Sequence, residues 1–80
     1  MKVKVKVLLK DGILDPQGKA VLNAINDLKF DGVNDVRIGK YIELSFNGKD
    51  KTFIEKETKQ ICQKLLANPV IENFEYEIEN

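Results

Sequence analysis

Apolar and charged residues alternate over the first stretch of the chain, with Val3, Val5, Val7 and Leu9 on one phase and Lys2, Lys4 and Lys6 on the other. A period of two sends successive side chains to opposite faces, so residues 2–9 read as a strand with one buried and one solvated face. Leu8 breaks the alternation and stands on the lysine face, either as a surface leucine or as an interface contact. The period then changes. Ala20, Val21, Ala24, Ile25 and Leu28 recur at helical spacing and predict a helix from about Pro16 to Lys29 that buries this stripe. Its start is written locally: Asp15 can accept from a first-turn N–H, and Pro16 sits where a missing N–H costs nothing. Gly18 within that first turn costs about 1 kcal/mol against alanine, so a packing or contact reason is expected there, one form of which is the close approach of another backbone. Phe30-Asp31-Gly32 turns the chain.

From Val33 to Phe46 the even positions are apolar (Val36, Ile38, Ile42, Leu44, Phe46), interrupted by Gly39-Lys40-Tyr41. A hairpin with a three-residue loop keeps them on one face, and so does a single bent strand. The hairpin is preferred, because strands joined only by helical crossovers would be parallel and buried on both faces, which the lysine face does not suit. A second turn covers Asn47–Asp50, and Asp50 caps a helix running to about Leu66 with Phe53, Ile54, Ile61, Cys62 and Leu65 inward. Asn68-Pro69 stops it. A last strand, Val70 to Ile78, buries Phe74, Tyr76 and Ile78 and turns Glu75 and Glu77 outward. The order βαββαβ indicates an α+β, two-layer open-faced sandwich of ferredoxin-like type, with two helices on one face of an antiparallel sheet. First and last strands are antiparallel neighbours in that arrangement, which sets Lys2, Lys4 and Lys6 beside Glu75, Glu77 and Glu79.

Eighty residues allow one domain, 1–80, which buries only about two-thirds of its unfolded surface. Chains of this size are often helped by disulfides, metal or association. Cys62 is the only cysteine and there is no histidine, so association is the aid that remains. Thirteen basic residues balance thirteen acidic ones, against the basic surplus that nucleic-acid binding requires. The Met-Lys-Val-Lys-Val start and the lack of any run near 20 apolar residues point to a soluble, cytoplasmic protein.

Little here suggests catalysis. Gly12 through Lys19 resembles a phosphate loop but has five residues between its glycines, and Ala20 follows the lysine where Ser or Thr is needed. Cys62 lies on a helix stripe with no histidine to activate it. The carboxylates Asp15, Asp31, Asp35, Glu43 and Asp50 fall mostly at turns and caps. Arg37, the only arginine, is either a solvated strand residue or a group ready for bidentate pairing across an interface. The stretch from Lys10 to Ile25, with Ile13 and Leu14 on a short loop, reads as a docking surface.

Lys10-Asp11-Gly12-Ile13-Leu14-Asp15-Pro16-Gln17-Gly18 resembles the signature of the PurS family, the small subunit of phosphoribosylformylglycinamidine synthase. Val36–Lys40 and Leu65–Glu72 are similar to its two other characteristic stretches, in the same order along the chain. Lys29 departs from the family's usual glycine, at the end of the first helix. The resemblance implies a subunit that is not an enzyme on its own and binds no cofactor, in a complex that uses ATP, magnesium and glutamine in purine biosynthesis. Its partners would be a second copy, as homodimer or homotetramer, the large ATP-dependent synthetase subunit and the glutaminase subunit. Gly12, Ile13, Asp15, Gly18, Arg37 and Lys40 are then expected to face partners, with Pro16, Gly39, Asn68 and Pro69 shaping the turns. Two other readings compete: a small dimeric metabolite-binding regulatory domain, and a nucleic-acid-binding module, which zero net charge disfavours.

Overall fold

The computed structural model describes residues 1–48 and 50–79; Lys49, within the turn expected over Asn47–Asp50, and the terminal Asn80 lie outside the described residues. Strand β1 (Lys2–Leu9) is the middle of a three-stranded antiparallel sheet, between β2 (Gly39–Ser45) and β3 (Glu72–Glu79). Its valine phase explains the central place. Val3 lies between Leu44 and Ile78, Val5 between Ile42 and Tyr76, and all three valines are buried. On the opposite face Lys2, Lys4 and Lys6 stand across from Glu79, Glu77 and Glu75, as the two charge runs predict. Lys4 bonds Glu79 diagonally, and Lys2 reaches Glu43 of β2 at 3.6 Å. Exposed pairs of this kind stabilise little. Their weight is in register, because a slip of one residue would turn the lysines inward.

Helix α2 (Lys51–Ile61), begun by Asp50 Oδ1 accepting from the Phe53 N–H at 2.8 Å, covers the valine face. Ile54, Thr58 and Cys62 form its buried row, spaced i, i+4, i+8. Phe53 and Leu65, expected inward, are exposed, and Ile61 is half-buried. For Leu65 the cause is a π-helical turn over Cys62–Leu66, closed by the Ala67 N–H donating to Cys62 O at 2.9 Å. The wider turn rotates Leu65 off the stripe and brings Leu66 and Ala67 toward the core instead.

Residues 33–46 do not form the expected hairpin. Only Gly39–Ser45 joins the ladder, with Gly39 opposite Leu8 and Lys40 opposite Val7, so the positions read as a loop lie within the strand. The backbone ahead of it is committed elsewhere: the Ile38 N–H donates to Asp15 Oδ2 at 2.8 Å, and the Val36 N–H to Asp35 Oδ1 at 2.9 Å. The α+β class, its antiparallel sheet and its two helices hold; in the βαββαβ order the second β position, 33–38, is an irregular segment outside the sheet.

Helix α1 (Pro16–Asp27) starts as predicted, with Asp15 Oδ1 accepting from Gly18 N–H at 2.9 Å. Its expected apolar stripe is not buried within the chain. Ala20, Val21, Ala24 and Leu28 are exposed, Ile25 is half-buried, and no α1 side chain joins the core. The extents of 50 × 26 × 14 Å and a radius of gyration of 16.1 Å show the reason. A compact chain of this length has a radius near ~12 Å, so α1 runs on past the sheet instead of over it. The helix ends in a paired hydrogen-bond cap: Lys29 N–H donates to Asn26 O at 3.0 Å and Phe30 N–H to Ile25 O at 3.3 Å. That cap puts Lys29 at φ +72°, in the left-handed region that disfavours a side chain. Lys29→Gly is expected to stabilise the protein by about 1 kcal/mol in urea unfolding, with the cap retained.

Candidate functional site

The three stretches singled out in the sequence meet at one end of the sheet, beyond Leu9. Gly12, at φ +85°, lets the chain leave β1 sharply, and the Ile13 N–H closes the turn on Lys10 O at 3.2 Å. Asp15 then holds two segments at once, accepting from Gly18 in α1 and from Ile38 ahead of β2. Those two N–H donors, Ile38 foremost, hold the Asp15 carboxyl below the usual carboxylate range. Gly18 is needed because the Val36 carbonyl lies where its Cβ would be. The contact reason expected at this glycine is thus the close approach of another backbone.

Arg37 fastens the same end. Its guanidinium donates to the carbonyls of Leu9 and Lys10, the latter at 3.3 Å, and reaches Asp11 Oδ1 at 3.3 Å. Most of its donors are thus spent within the chain, although Nε has no hydrogen-bond partner. Lys40 Nζ donates to Leu66 O at 2.9 Å, with Glu72 Oε2 at 4.0 Å, tying β2 to the π-helical turn. Asn68 organises the next bend: its carbonyl accepts from Ile71 and Glu72, its Oδ1 from Val70, and its own N–H donates to Glu72 Oε1. Pro69 lies inside that bend, and the Lys10 N–H donates to Ile71 O at 2.8 Å, linking it back to β1. Gly39 has a packing role, since a Cβ there would meet the Val7 carbonyl across the ladder.

Gly12, Ile13, Asp15 and Arg37 line one open groove of about 490 Å³, together with Leu14, Lys19, Leu22, Asp35 and Val36. Gly18 lies beneath it, and Lys40 stands apart on the π-turn side. Exposed apolar side chains lie around this end, with Leu14 at 73 %, Leu65 at 79 % and Val70 at 77 %. The apolar pattern places Leu65 on the buried stripe and Val70 in the last strand, and the structure exposes both: the π-helical turn that turns Leu65 out has no signature in the sequence, and the last strand begins only at Glu72. The pairing of Asp11 with Arg37 also joins residues 26 positions apart, and no local pattern announces it.

Cys62 is buried, and burial pushes its thiol up, away from the reactive thiolate. Among the described residues no group of three or more His, Cys, Asp or Glu side chains could hold a metal ion. The arrangement is equipped to bind, through rigid loops with an apolar rim.

Fold and site together define a small α+β module with an open groove and exposed apolar side chains at one end of its sheet. Known proteins make this specific. The family model for PurS, phosphoribosylformylglycinamidine (FGAM) synthase, matches residues 2–80, and the chain belongs to that family. It is 50% identical over 78 residues to the PurS subunit of Bacillus subtilis, covering 98% of this chain and 92% of that one. The solved structure of B. subtilis PurS superposes with a TM-score of 0.88 at 49% identity, over 99% of this chain and 98% of that chain. A chain in the structure of PurLQS from Thermotoga maritima gives a TM-score of 0.86 at 29% identity, over 95% and 93% of the two chains.

Two predictions follow from the clamp. Gly18→Ala should cost about 1–3 kcal/mol in denaturant unfolding, because the clash with Val36 outweighs alanine's helical advantage of about 1 kcal/mol. Asp15 ionises more readily folded than unfolded, so its stabilisation is present above the unfolded carboxylate value of about 3.9 and is lost as pH falls through the lower folded value. Acid unfolding of Asp15→Asn should accordingly show a shallower loss of stability below about pH 4 than the wild type.

Proposed function

We propose that this chain is the small, non-catalytic subunit that joins the glutaminase and the ATP-dependent synthetase subunits of FGAM synthase in purine biosynthesis, assisting ammonia transfer between them. The observation that carries the reading is the end of the sheet where the three characteristic stretches interlock: its backbone is held by Asp15, Arg37 and Lys40, and its rim is apolar. Rigid loops lose little entropy on docking, and exposed apolar anchors provide the contact area. The T. maritima structure that contains a similar chain is of PurLQS, which supports an assembly role.

In this reading Gly12, Ile13, Asp15, Gly18, Arg37 and Lys40 form or shape the partner-facing surface, Ile13 by contact and the others chiefly by holding the loops. ATP and magnesium belong to the complex in this reading, and no cofactor is assigned to this chain. It works in the cytoplasm with the rest of the pathway; no helix among the described residues is long and apolar enough to cross a membrane. It also associates with itself, as a dimer or tetramer, which the uncovered apolar stripe of α1 supports.

Light scattering behind size exclusion tests this. The chain is run alone, then with the synthetase and glutaminase subunits plus glutamine, magnesium and ADP. A homo-oligomer that co-elutes with both larger chains is expected, and a chain that joins neither overturns the reading. Arg37→Ala, which frees the loop carbonyls, should weaken assembly by roughly tenfold or more. Undiminished affinity would remove Arg37 from the surface.

A further inference from the structure

The ladder between β1 and β2 finishes differently at its two ends. At the start of the chain Met1 and Phe46 exchange both bonds: the Phe46 N–H donates to Met1 O at 2.8 Å, and the Met1 ammonium donates to Phe46 O at 3.2 Å. Bonded pairs recur at every second position of an antiparallel ladder. The register therefore makes Val3–Leu44, Val5–Ile42 and Val7–Lys40 the bonded pairs, with Leu9–Ile38 next in line. There the Ile38 N–H would meet the Leu9 carbonyl, and it does not. Asp15 Oδ2 takes the N–H at 2.8 Å, while the Arg37 guanidinium donates to the carbonyl through Nη2. One carboxylate and one guanidinium thus replace the two halves of a single backbone bond.

The next step of the ladder is prepared in other respects. Gly39 already lies in it, opposite Leu8. Ile38 continues the apolar phase of Ile42 and Leu44 and is half-buried. The two ways of satisfying these groups also oppose each other closely in energy. Hydrogen bonds to charged groups are the stronger kind, which favours the side-chain arrangement. Against it, Arg37 Nε is buried with no hydrogen-bond partner while the guanidinium is held over the loop carbonyls. A buried donor left unpaired carries its full desolvation cost. Direct bonding of Ile38 to Leu9 would free the guanidinium and return Nε to water.

We infer that Leu9 and Ile38 are a latch with two states. In the state observed the latch is open, and Asp15 and Arg37 are spent on backbone groups. In the closed state the Ile38 N–H bonds the Leu9 carbonyl, the ladder is one bonded pair longer, and both charged side chains turn to the groove they line. Asp15 keeps its bond to Gly18, so the start of α1 survives closure while its tie to the strand is undone. Closure therefore changes the chemistry of the groove. A carboxylate oxygen and a guanidinium that are occupied in the open state become available together. A group of opposite charge in the groove binds the closed state better and draws the latch shut. The latch is a property of the chain alone and stands or falls independently of the assembly reading.

The test is NMR on the full chain labelled with ¹⁵N and ¹³C, read through scalar couplings across hydrogen bonds. In the wild type the Ile38 nitrogen is expected to couple to the Asp15 carboxyl carbon. Relaxation dispersion should show exchange at both the Ile38 amide and Arg37 Nε. Asp15→Ser combined with Arg37→Met removes both competitors, and the serine hydroxyl can still cap Gly18. In that chain the Ile38 coupling should move to the Leu9 carbonyl carbon. The coupling of Lys10 nitrogen to the Ile71 carbonyl carbon serves as the sign that the sheet is folded. A folded double variant in which Ile38 does not couple to Leu9 overturns the latch. Flat dispersion profiles at Ile38 and Arg37 Nε in the wild type overturn it too, whatever the variant does. Should the variant not fold, the wild-type profiles decide.

Discussion

The carboxylate of Asp15 accepts one hydrogen bond from Gly18, three residues on, and another from Ile38, 23 residues on. A helix cap normally serves only its own first turn. Here the same side chain also takes an N–H that would otherwise be available to a sheet ladder. That withdraws residues 36–38 from strand pairing and seats the start of α1 against them. The direction of α1, the place where β2 can begin and the closeness of the loops all follow from this one clamp. Gly18 makes it possible, since any side chain at that position would push the Val36 carbonyl away.

The clamp has a cost in burial. A helix held beyond the end of the sheet leaves its apolar stripe in water, and a three-stranded sheet with one helix over it seals only its middle strand. The core is accordingly small: Val3, Val5, Val7, Ile54, Cys62 and Ala67. Thr58 shares that space with an unpartnered hydroxyl, which adds to the expense. Little apolar surface is therefore buried within one copy of this chain.

At the clamped end the same geometry orders the loops. Arg37 and Lys40 neutralise loop and turn carbonyls that would otherwise need water, so the loops present apolar side chains on a backbone that is already ordered. Membership of the PurS family gives that surface its context. The charged face of the sheet, with lysines between glutamates, sets register and keeps that side solvated.

Much of the chain was legible locally. Alternation along residues 2–9 specified a strand with a valine face, and the opposite charges of the first and last strands specified that they pair. Asp15-Pro16 and Asp50 marked both helix starts, and Gly18 marked a position of close contact. Each of these signals depends on residues a few positions apart, or on complementary patterns read in parallel. Apolar spacing around residues 33–46 and along α1 was equally clear, yet it indicated only which faces need cover, not what would cover them. Whether Ile38 gives its N–H to a strand or to a carboxylate, whether a helix end widens into a π turn, and whether α1 folds back depend on competition among distant groups. The sequence by itself determined the first strand, both helix starts and the pairing of the outer charge runs; only the tertiary structure decided where α1 points, where β2 begins and which loops meet, because one carboxylate can satisfy a backbone donor far along the chain and no local pattern shows which.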